Sequence, residues 1–345
     1  MGRQSARLYF QGKDHKDIYF NGHYHDQMYL SDGEGNATLV WEKVKDNLFE
    51  FTVNPESKLI LSVWGNVHIN WGDGQGIEVN NNGSLLSHQY GLSDSRFKVQ
   101  ITGEMTNIKF NPGSGMNGAL SEVLTILPQS MKYTKDLGRI FSGCTNLMYI
   151  PERIFYNCIH VVSMENAFWA CTSLKNIPVM LFSRCASVEE FGGVFLRCSG
   201  LETIPEGLFA GCTKVKSFHN AFQYCQFSEI PEGLFAGCPD VEDFSALFFG
   251  CSKLITVPEK LFDNCPVVKD FSGLFCIGGL EAVPEGLFAN CSDVENFASA
   301  FEYCQNIKGR VPELWRTHLH VKEHSRCFAA CTKVSNYEEI PSTWK

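Results

Sequence analysis

The sequence predicts an α/β repeat solenoid of parallel strands and short helical turns, preceded by a small antiparallel β-sandwich. Two observations lead to this fold class. A proline-centred phrase recurs at nearly constant spacing through the C-terminal two thirds of the chain, whereas residues 46–110 show short alternating apolar runs between turn residues. Hydrophobic residues make up 44% of the 345 residues and charged residues 19%, which excludes a disordered or fibrous chain.

The repeat consists of two related phrases. Its prolines lie at positions 151, 178, 205, 231, 258, 284 and 312, which are 26 to 28 residues apart. The first phrase, typically L-x-x-[IV]-P-E-x-L-F-x-x-C, predicts a short strand that ends at the proline, because proline cannot donate to a strand ladder. The second phrase, V-x-x-F-x-x-x-F-x-x-C, predicts a helical turn with its Phe and Cys side chains buried on one side. A single coil cannot bury these side chains, so about seven stacked coils form the core.

On these phrases, residues 125–345 resemble the BspA-like, cysteine-bearing class of leucine-rich repeats found in bacterial surface proteins. The resemblance implies stacked parallel coils and a non-catalytic binding role on a bacterial cell surface. The coils are longer than the roughly 23 residues common in that class. We assign 111–345 to the solenoid, with a cap at each end: an irregular second phrase from Thr134 to Cys144, and large apolar residues up to Trp344.

Thirteen of the fifteen cysteines fall in two columns of equivalent repeat positions. Cys158, Cys185, Cys212, Cys238, Cys265 and Cys291 fall in the first phrase, and Cys144, Cys171, Cys198, Cys225, Cys251, Cys304 and Cys331 fall in the second, where Gly278 takes the remaining place. Equivalent side chains on stacked coils point in parallel rather than towards each other. We therefore expect buried free thiols that act as small hydrophobic side chains, not disulfides. Cys276 is displaced from its column, and we expect it to pack in an irregular coil.

The segment 318–331 offers an alternative role for some of these residues. His318, His320, His324, Cys327 and Cys331 have the spacing of zinc ligands. However, three of them occupy repeat positions that are core elsewhere, so we expect no metal and no cofactor.

The N-terminal region lacks the repeat. Residues 1–12 resemble a protease-cleavable tag, and 13–45 predict a short β segment. Residues 46–110 resemble a PKD-like domain, because a W-G-D-G turn at 71–74 precedes His88-x-Tyr90 and an alternating strand; the resemblance implies a β-sandwich. Asp73 in that turn could bind calcium, but we expect it to hydrogen-bond its own backbone.

Composition and motifs also restrict the function. The net charge of −9 gives no electrostatic basis for binding nucleic acid, and no apolar stretch is long enough to insert into a membrane. The chain has no nucleophile elbow, metalloprotease motif or phosphate-binding loop, so we expect it not to be an enzyme. We expect an extracellular or cell-surface location, with any signal peptide already removed.

The variable positions of V-x-x-F are the candidate ligand-binding residues, because packing fixes the others. Stacked coils place them in a mostly acidic stripe, for which a solvated face is the default interpretation and a ligand-binding face the alternative. It comprises Glu189, Glu190, Lys216, Glu242, Asp243, Lys269, Asp270 and Glu295. The leading hypothesis is an adhesin that recognises a protein or glycan on a cell surface through the solenoid. The alternative is a receptor-binding protein of a phage or prophage tail.

Overall fold

The computed structural model describes residues 8–10, 13–15, 17–20, 27–31, 37–42 and 47–345 except Ser114, with side chains from 47 onward other than those of Asn81 and Ser114. Most of the predicted tag at 1–12 lies outside these residues. The chain forms two compact units, Met1–Leu48 and Phe49–Lys345. In the first unit two strands pair antiparallel, and three others form an antiparallel sheet in sequence order. These strands are β1 (Leu8–Phe10), β2 (Lys13–His15), β3 (Asp17–Phe20), β4 (Gln27–Ser31) and β5 (Ala37–Glu42).

The second unit begins with an antiparallel sheet whose strand order is β10-β6-β9-β7-β8. Its strands are β6 (Leu48–Val53), β7 (Lys58–Asn70), β8 (Gly76–Gln89), β9 (Phe97–Phe110) and β10 (Leu120–Val123). A register shift follows Trp64, and Gly65 there has a φ of +118° with Glu104 O only 1.9 Å from where a Cβ would stand. Glycine is therefore required at this bulge, which bends the strands. The predicted strands are present, but the described ones form one sheet in this unit rather than two separate sheets.

The sheet covers the first coil of the solenoid. At the end of β9, Phe110 N donates to Ile140 O (2.8 Å), and the Phe110 ring stacks on Phe141 at 5.5 Å. Strand β10 forms a parallel bridge between Glu122 and Tyr149. The hydrophobic core is consequently continuous from the sheet through the repeats.

We call the V-x-x-F-x-x-x-F-x-x half of each coil the inner arc, and the half around the proline the outer arc. In residues 137–331, all of which the structure describes, eight inner arcs are joined by four backbone hydrogen bonds at every interface, with N···O distances of 2.7–3.0 Å. The donors are alternate residues of one coil, and the acceptors belong to the next coil. Phe218, Asn220, Phe222 and Tyr224 donate in this way to Asp243, Ser245, Leu247 and Phe249.

The residues between these donors donate their N–H groups to the carbonyl three positions back in their own coil, as Ala221 N does to Phe218 O. In the inner arc, residues two positions after each core aromatic have left-handed backbone; Asn220 (φ 56°) and Tyr224 (φ 60°) are examples. Left-handed residues interrupt a right-handed helix. The inner arc is therefore a run of turns, not the predicted helical turn, and its N–H groups are free to bond along the solenoid.

The predicted parallel strands are reduced to single bridges. One series of bridges lies two residues after the valine position of the second phrase. It joins every pair of neighbouring coils from Asp136 to Glu323. Bridges are less regular in the L-x-x-[IV]-P phrase, where the sequence predicted the strand; Asn176 pairs there with Thr203. A short α-helix, α1 (Leu314–Thr317), and 3₁₀ turns at Gln129–Tyr133, Tyr337–Glu339 and Ser342–Trp344 complete the unit.

Coils are closer together on the inner arc than on the outer arc. Phenylalanine rings from Phe141 to Phe328 stack at 5.3–5.8 Å on the inner arc. Rings from Phe155 to Phe288 stack at 5.6–6.2 Å on the outer arc. Because the spacing is shorter on the hydrogen-bonded side, the solenoid curves towards the inner arc.

All fifteen cysteines are buried free thiols, as the sequence predicted. The structure shows that the thiols also act as hydrogen-bond donors. Inner-arc thiols lie 2.9–3.2 Å from the phenylalanine carbonyl of the preceding coil, as Cys225 does from Phe195 O. Outer-arc thiols are 3.7–3.9 Å from theirs, as Cys238 is from Phe209 O. Cysteine is thus small enough for the core and still supplies a second donor to a buried carbonyl.

We predict that Cys225→Ala destabilises the protein more than Cys238→Ala. Both side chains are fully buried, so both variants lose sulfur packing worth about 1–2 kcal/mol. Only Cys225 also loses a short hydrogen bond, worth up to about 1 kcal/mol. Urea unfolding of the two variants gives the comparison, and equal losses would remove the hydrogen-bonding role.

Thiol reactivity is expected to be low in the folded protein. Burial raises the pKa of Cys198 and Cys251 to about 12, and that of Cys276 to about 11. Few thiolates therefore exist at pH 8. Ellman titration should detect few thiols in native protein and nearly fifteen after denaturation without reductant; a denatured count near one would indicate disulfides.

Candidate binding surface

The structure brings the eight sequence-predicted site residues together in two adjacent columns at the start of the inner arc. We call these columns the charge stripe. They are Glu189, Lys216, Glu242, Lys269 and Glu295 in the outer column, and Glu190, Asp243 and Asp270 in the inner column.

The outer column alternates in sign rather than being acidic. Lys216 Nζ lies 3.4 Å from Glu189, and Lys269 contacts Glu242 on the next pair of coils. Lys322, which the sequence analysis did not include, continues the series at 2.7 Å from Glu295. The hydrogen bond from Lys269 lowers the pKa of Glu242. A ligand that contacts this column meets charges that already neutralise one another.

The inner column is largely committed to backbone hydrogen bonds. Asp243 accepts from Ser245 N (2.8 Å), and Asp270 accepts from Ser272 N (2.7 Å). These Asx-type turns fix the entry into each inner arc. Glu190 carries one more methylene and does not form this bond; burial raises its pKa, and nearby Glu165 adds to the effect.

A second surface follows the charge stripe along each inner arc. We call it the arc surface; it includes Arg139, Asn166, Trp169, Arg197, Tyr224, Ile277 and Tyr303. These residues were not among the predicted site residues, because only the variable positions of V-x-x-F were taken as candidates for ligand binding. The available signal was their size: Trp, Arg and Tyr are larger than a solvated turn requires.

Large side chains occupy strained backbone on the arc surface. Arg139, Arg197 and Tyr224 have φ values of 60°, 62° and 60°. Glycine occurs at equivalent positions of other coils, including Gly193 (φ 58°) and Gly250 (φ 69°), so glycine fits there. Left-handed conformation costs a non-glycine residue of order 1 kcal/mol or more, and such strain concentrates at functional sites. The large residues are thus present despite a cost in stability.

Two adjoining cavities indent the arc surface beside Gly113 and Met116, and we call them together the arc cleft. The first, of about 180 Å³, is lined by Gly113, Arg139, Ser142, Asn166 and Trp169. The second, of about 330 Å³, is lined by Met116, Ala170, Thr172, Arg197, Ser199 and Tyr224. The two linings adjoin in the chain, because Trp169 borders the first cavity and the next residue, Ala170, borders the second.

Tyr224 is held in place before any ligand binds. Its ring lies over Gly250, where a Cβ would be 2.5 Å from the ring. The Phe249 ring meets it edge-on at 5.5 Å, and the Arg197 guanidinium lies 5.6 Å from its centroid. Cation–π contact and stacking thus orient an aromatic side chain that remains 39% exposed.

The residues considered for metal binding have structural partners. Asp73 Oδ2 lies 2.7 Å from His88 Nε2, and its Oδ1 accepts from Gln75 N (3.1 Å). The His324 ring stacks on Trp344 at 4.5 Å, and Cys327 is buried. Among the described residues, no three metal-ligating side chains are grouped as a metal site requires.

Across the part of the chain that the structure describes, no helix has the length and apolar character needed to cross a membrane.

Comparisons with known proteins identify the repeats. A family model described as "BspA type Leucine rich repeat region" matches in six copies, over residues 125–269 and 177–308. No curated protein matches the chain.

Solved structures show only distant similarity. A chain of the Drosophila Toll–Spatzle complex is 15% identical with a TM-score of 0.19, and a glycosylated form is 14% identical with a TM-score of 0.23; each match covers 61% of this chain and 37% of the other. A chain of the TLR13–ssRNA13 complex is 12% identical over 57% of this chain and 43% of its own, with a TM-score of 0.14. The chain spans little more than a third of the first two. At these TM-scores the likenesses carry no argument about fold or function.

We predict that Gly250→Ala destabilises the protein by more than Gly207→Ala. The two glycines have similar φ values, 69° and 67°, but a Cβ at 207 would meet nothing closer than 3.8 Å. Gly207→Ala therefore measures backbone strain alone, of order 1 kcal/mol. Gly250→Ala must also displace Tyr224. Equal unfolding free energies in urea would contradict the packing of Tyr224 on Gly250.

The pH dependence of stability is expected to reflect His318. Burial lowers its pKa below 6.5, so the unfolded chain takes up a proton there before the folded chain does. Its contribution is constant above the unfolded pKa of about 6.5 and falls as the pH drops towards the lower folded pKa. Urea midpoints between pH 7 and 5 should fall less in His318→Phe than in wild type. The exposed His320→Gln serves as the control and should keep the wild-type slope.

Proposed function

We propose that this chain, which belongs to the BspA-type leucine-rich repeat family, is a non-catalytic binding protein that recognises its partner through the arc surface. The repeat family indicates a protein-binding role. Leucine-rich repeat proteins are typically non-enzymatic, and stacked repeats offer an extended curved surface on which partners bind.

The carrying observation is that Arg139, Arg197 and Tyr224 are large, exposed and on left-handed backbone, at positions where glycine fits in other coils. Neither solvent exposure nor core packing requires Arg and Tyr there. Aromatic and Arg side chains dominate the energetic centres of interfaces, particularly when they are held rigidly. The contacts of Tyr224 with Gly250 and Phe249 supply that rigidity.

The proposed setting is a bacterial cell surface or the extracellular space, where the protein acts as an adhesin for a protein or glycan on another cell. BspA-type repeats are typical of surface and secreted bacterial proteins. In this proposal the charge stripe forms the rim of the binding surface. The ligand-binding residues Glu189, Glu190, Lys216, Glu242, Asp243, Lys269, Asp270 and Glu295 then act mainly on specificity and association rate, as rim charges do.

The arc surface has a matched control on the opposite side of the coil. Tyr156 lies on the outer arc, is also 39% exposed, and has the Arg184 guanidinium 4.8 Å from its ring centroid. We predict that Tyr224→Ala weakens binding of the labelled chain to intact bacterial or epithelial cells by about tenfold or more, as expected for an interface hot spot. Tyr156→Ala should bind like wild type. Flow cytometry over a concentration series gives both affinities.

Both variants should keep cooperative unfolding, since both tyrosines are partly exposed. Equal binding by the two variants would place recognition away from the arc surface. Failure of the wild-type chain to bind any of the cells would contradict the adhesin role.

A charge-swapped pair tests the rim. Glu242→Lys combined with Lys269→Glu preserves the ion pair but exchanges its signs. We expect affinity within about threefold of wild type at physiological salt, because rim charges contribute little to affinity. A loss of affinity as large as that of Tyr224→Ala would indicate that the central contacts lie in the charge stripe.

A further inference from the structure

Two arginines in the arc cleft lack a protein counter-ion. Arg139 lines the first cavity and Arg197 the second. Both are exposed, and neither forms an ion pair with a carboxylate among the described residues. Other cations of the inner arc are paired, including Lys216, Lys269 and Arg326. In a chain with a net charge of −9, two unpaired guanidiniums in adjoining cavities form a local site for anions.

The remaining lining is polar and aromatic rather than aliphatic. Asn166 and Ser142 offer amide and hydroxyl groups in the first cavity, and Thr172 and Ser199 offer hydroxyl groups in the second. Trp169 and Tyr224 provide one aromatic side chain in each. Met116 is the sole large aliphatic side chain among the lining residues of both cavities.

The Asn166 side chain has a defined position as well. It lies over Gly193 of the next coil, where a Cβ would be 2.4 Å from Asn166 Oδ1. Gly193 has a φ of 58°, so glycine there relieves backbone strain and also makes room for the amide. The polar lining is therefore positioned by the stacking of coils and does not depend on the ligand.

We propose that the arc cleft binds an acidic oligosaccharide, that is, a glycan bearing carboxylate or sulfate groups. Arg139 and Arg197 bind the anionic groups, the aromatic rings pack on the apolar faces of sugar rings, and Asn166, Thr172 and Ser199 bond to hydroxyl groups. Guanidinium groups recognise planar and tetrahedral oxyanions through paired hydrogen bonds. This inference rests on the proposed function and names the ligand class for its arc surface.

An acidic peptide shares the charge but fits the cleft less well. Protein partners bury a central apolar cluster in a well-packed pocket, and the cleft offers little aliphatic surface for one. The first cavity, at about 180 Å³, is also below the roughly 300–1,000 Å³ common for drug-sized ligands. Small adjoining cavities, each with one aromatic ring and one guanidinium, suit successive sugar units.

The test compares ligands that differ only in charge. Titration calorimetry with the full chain would use galacturonic acid oligomers and their methyl esters, and chondroitin 4-sulfate oligomers and their desulfated forms. The acid should bind at least about tenfold more tightly than the ester if carboxylates are recognised, and the sulfated form more tightly than the desulfated form if sulfates are. A preference in either pair supports the proposal and identifies the anionic group.

Variants then locate the site. Arg139→Gln and Arg197→Gln should each weaken binding of the preferred oligomer about tenfold, and each should reduce the salt dependence of the affinity. Gln removes the charge and keeps an amide that can form hydrogen bonds, on a shorter side chain. Arg184→Gln is the control, because Arg184 packs on Tyr156 of the outer arc in the way that Arg197 packs on Tyr224. It should bind like wild type.

Three results would overturn the inference: equal binding of the two oligomers within both pairs, no binding of any of the four, or a glutamate-rich peptide that binds as tightly as the acidic glycan. None of them decides the proposed function. If cell binding still depends on Tyr224 while these results hold, the arc surface is the binding site and the acidic oligosaccharide is the wrong ligand.

Discussion

The hydrogen-bond ladder of the inner arc is the constraint on which the rest of this structure depends. Each coil must present alternate N–H groups to the carbonyls of the next coil, so successive coils stay in register at 26 or 27 residues on this side. Left-handed residues at two fixed positions per coil turn those N–H groups outward along the solenoid. Helical structure would have consumed them within the coil. The turns, the bridges and the exposed positions all follow from hydrogen bonding between coils instead of within them.

The core side chains are chosen to fit the hydrogen-bond ladder and do not themselves produce it. Phe195 O accepts from Cys198 N in its own coil and from the Cys225 thiol in the next coil. A larger aliphatic residue in place of Cys225 would leave the carbonyl with one partner, and serine would bring a more polar group into the core. The outer arc has no ladder, so its thiols and rings are more widely spaced. Curvature is thus a result of bonding on one side only.

Much of the solenoid could be predicted from sequence because its core positions recur. The position of each residue within the repeat was enough to identify the phenylalanine and cysteine columns. Because equivalent cysteine side chains point in parallel, disulfides between coils were not expected. The turns could not be predicted, because left-handed Arg139 and Tyr224 carry no glycine signal; only the ladder explains their backbone. Likewise, the two-residue spacing in V-x-x-F predicted that Glu242 and Asp243 point away from the core, but not that Lys269 and Ser245 N would bond to them. The cleft was missed because Gly113 meets Arg139 and Trp169 only through folding of segments that are distant in the sequence.

The one-sided bonding also determines how the solenoid responds to force. The ladder bonds run between coils, along the direction in which coils are stacked, so tension on the two ends of the solenoid loads them directly. Opening would begin on the outer arc, where few backbone bonds join the coils, with each inner arc acting as a hinge until its four bonds break together. The repeats would then extend in steps, one coil at a time.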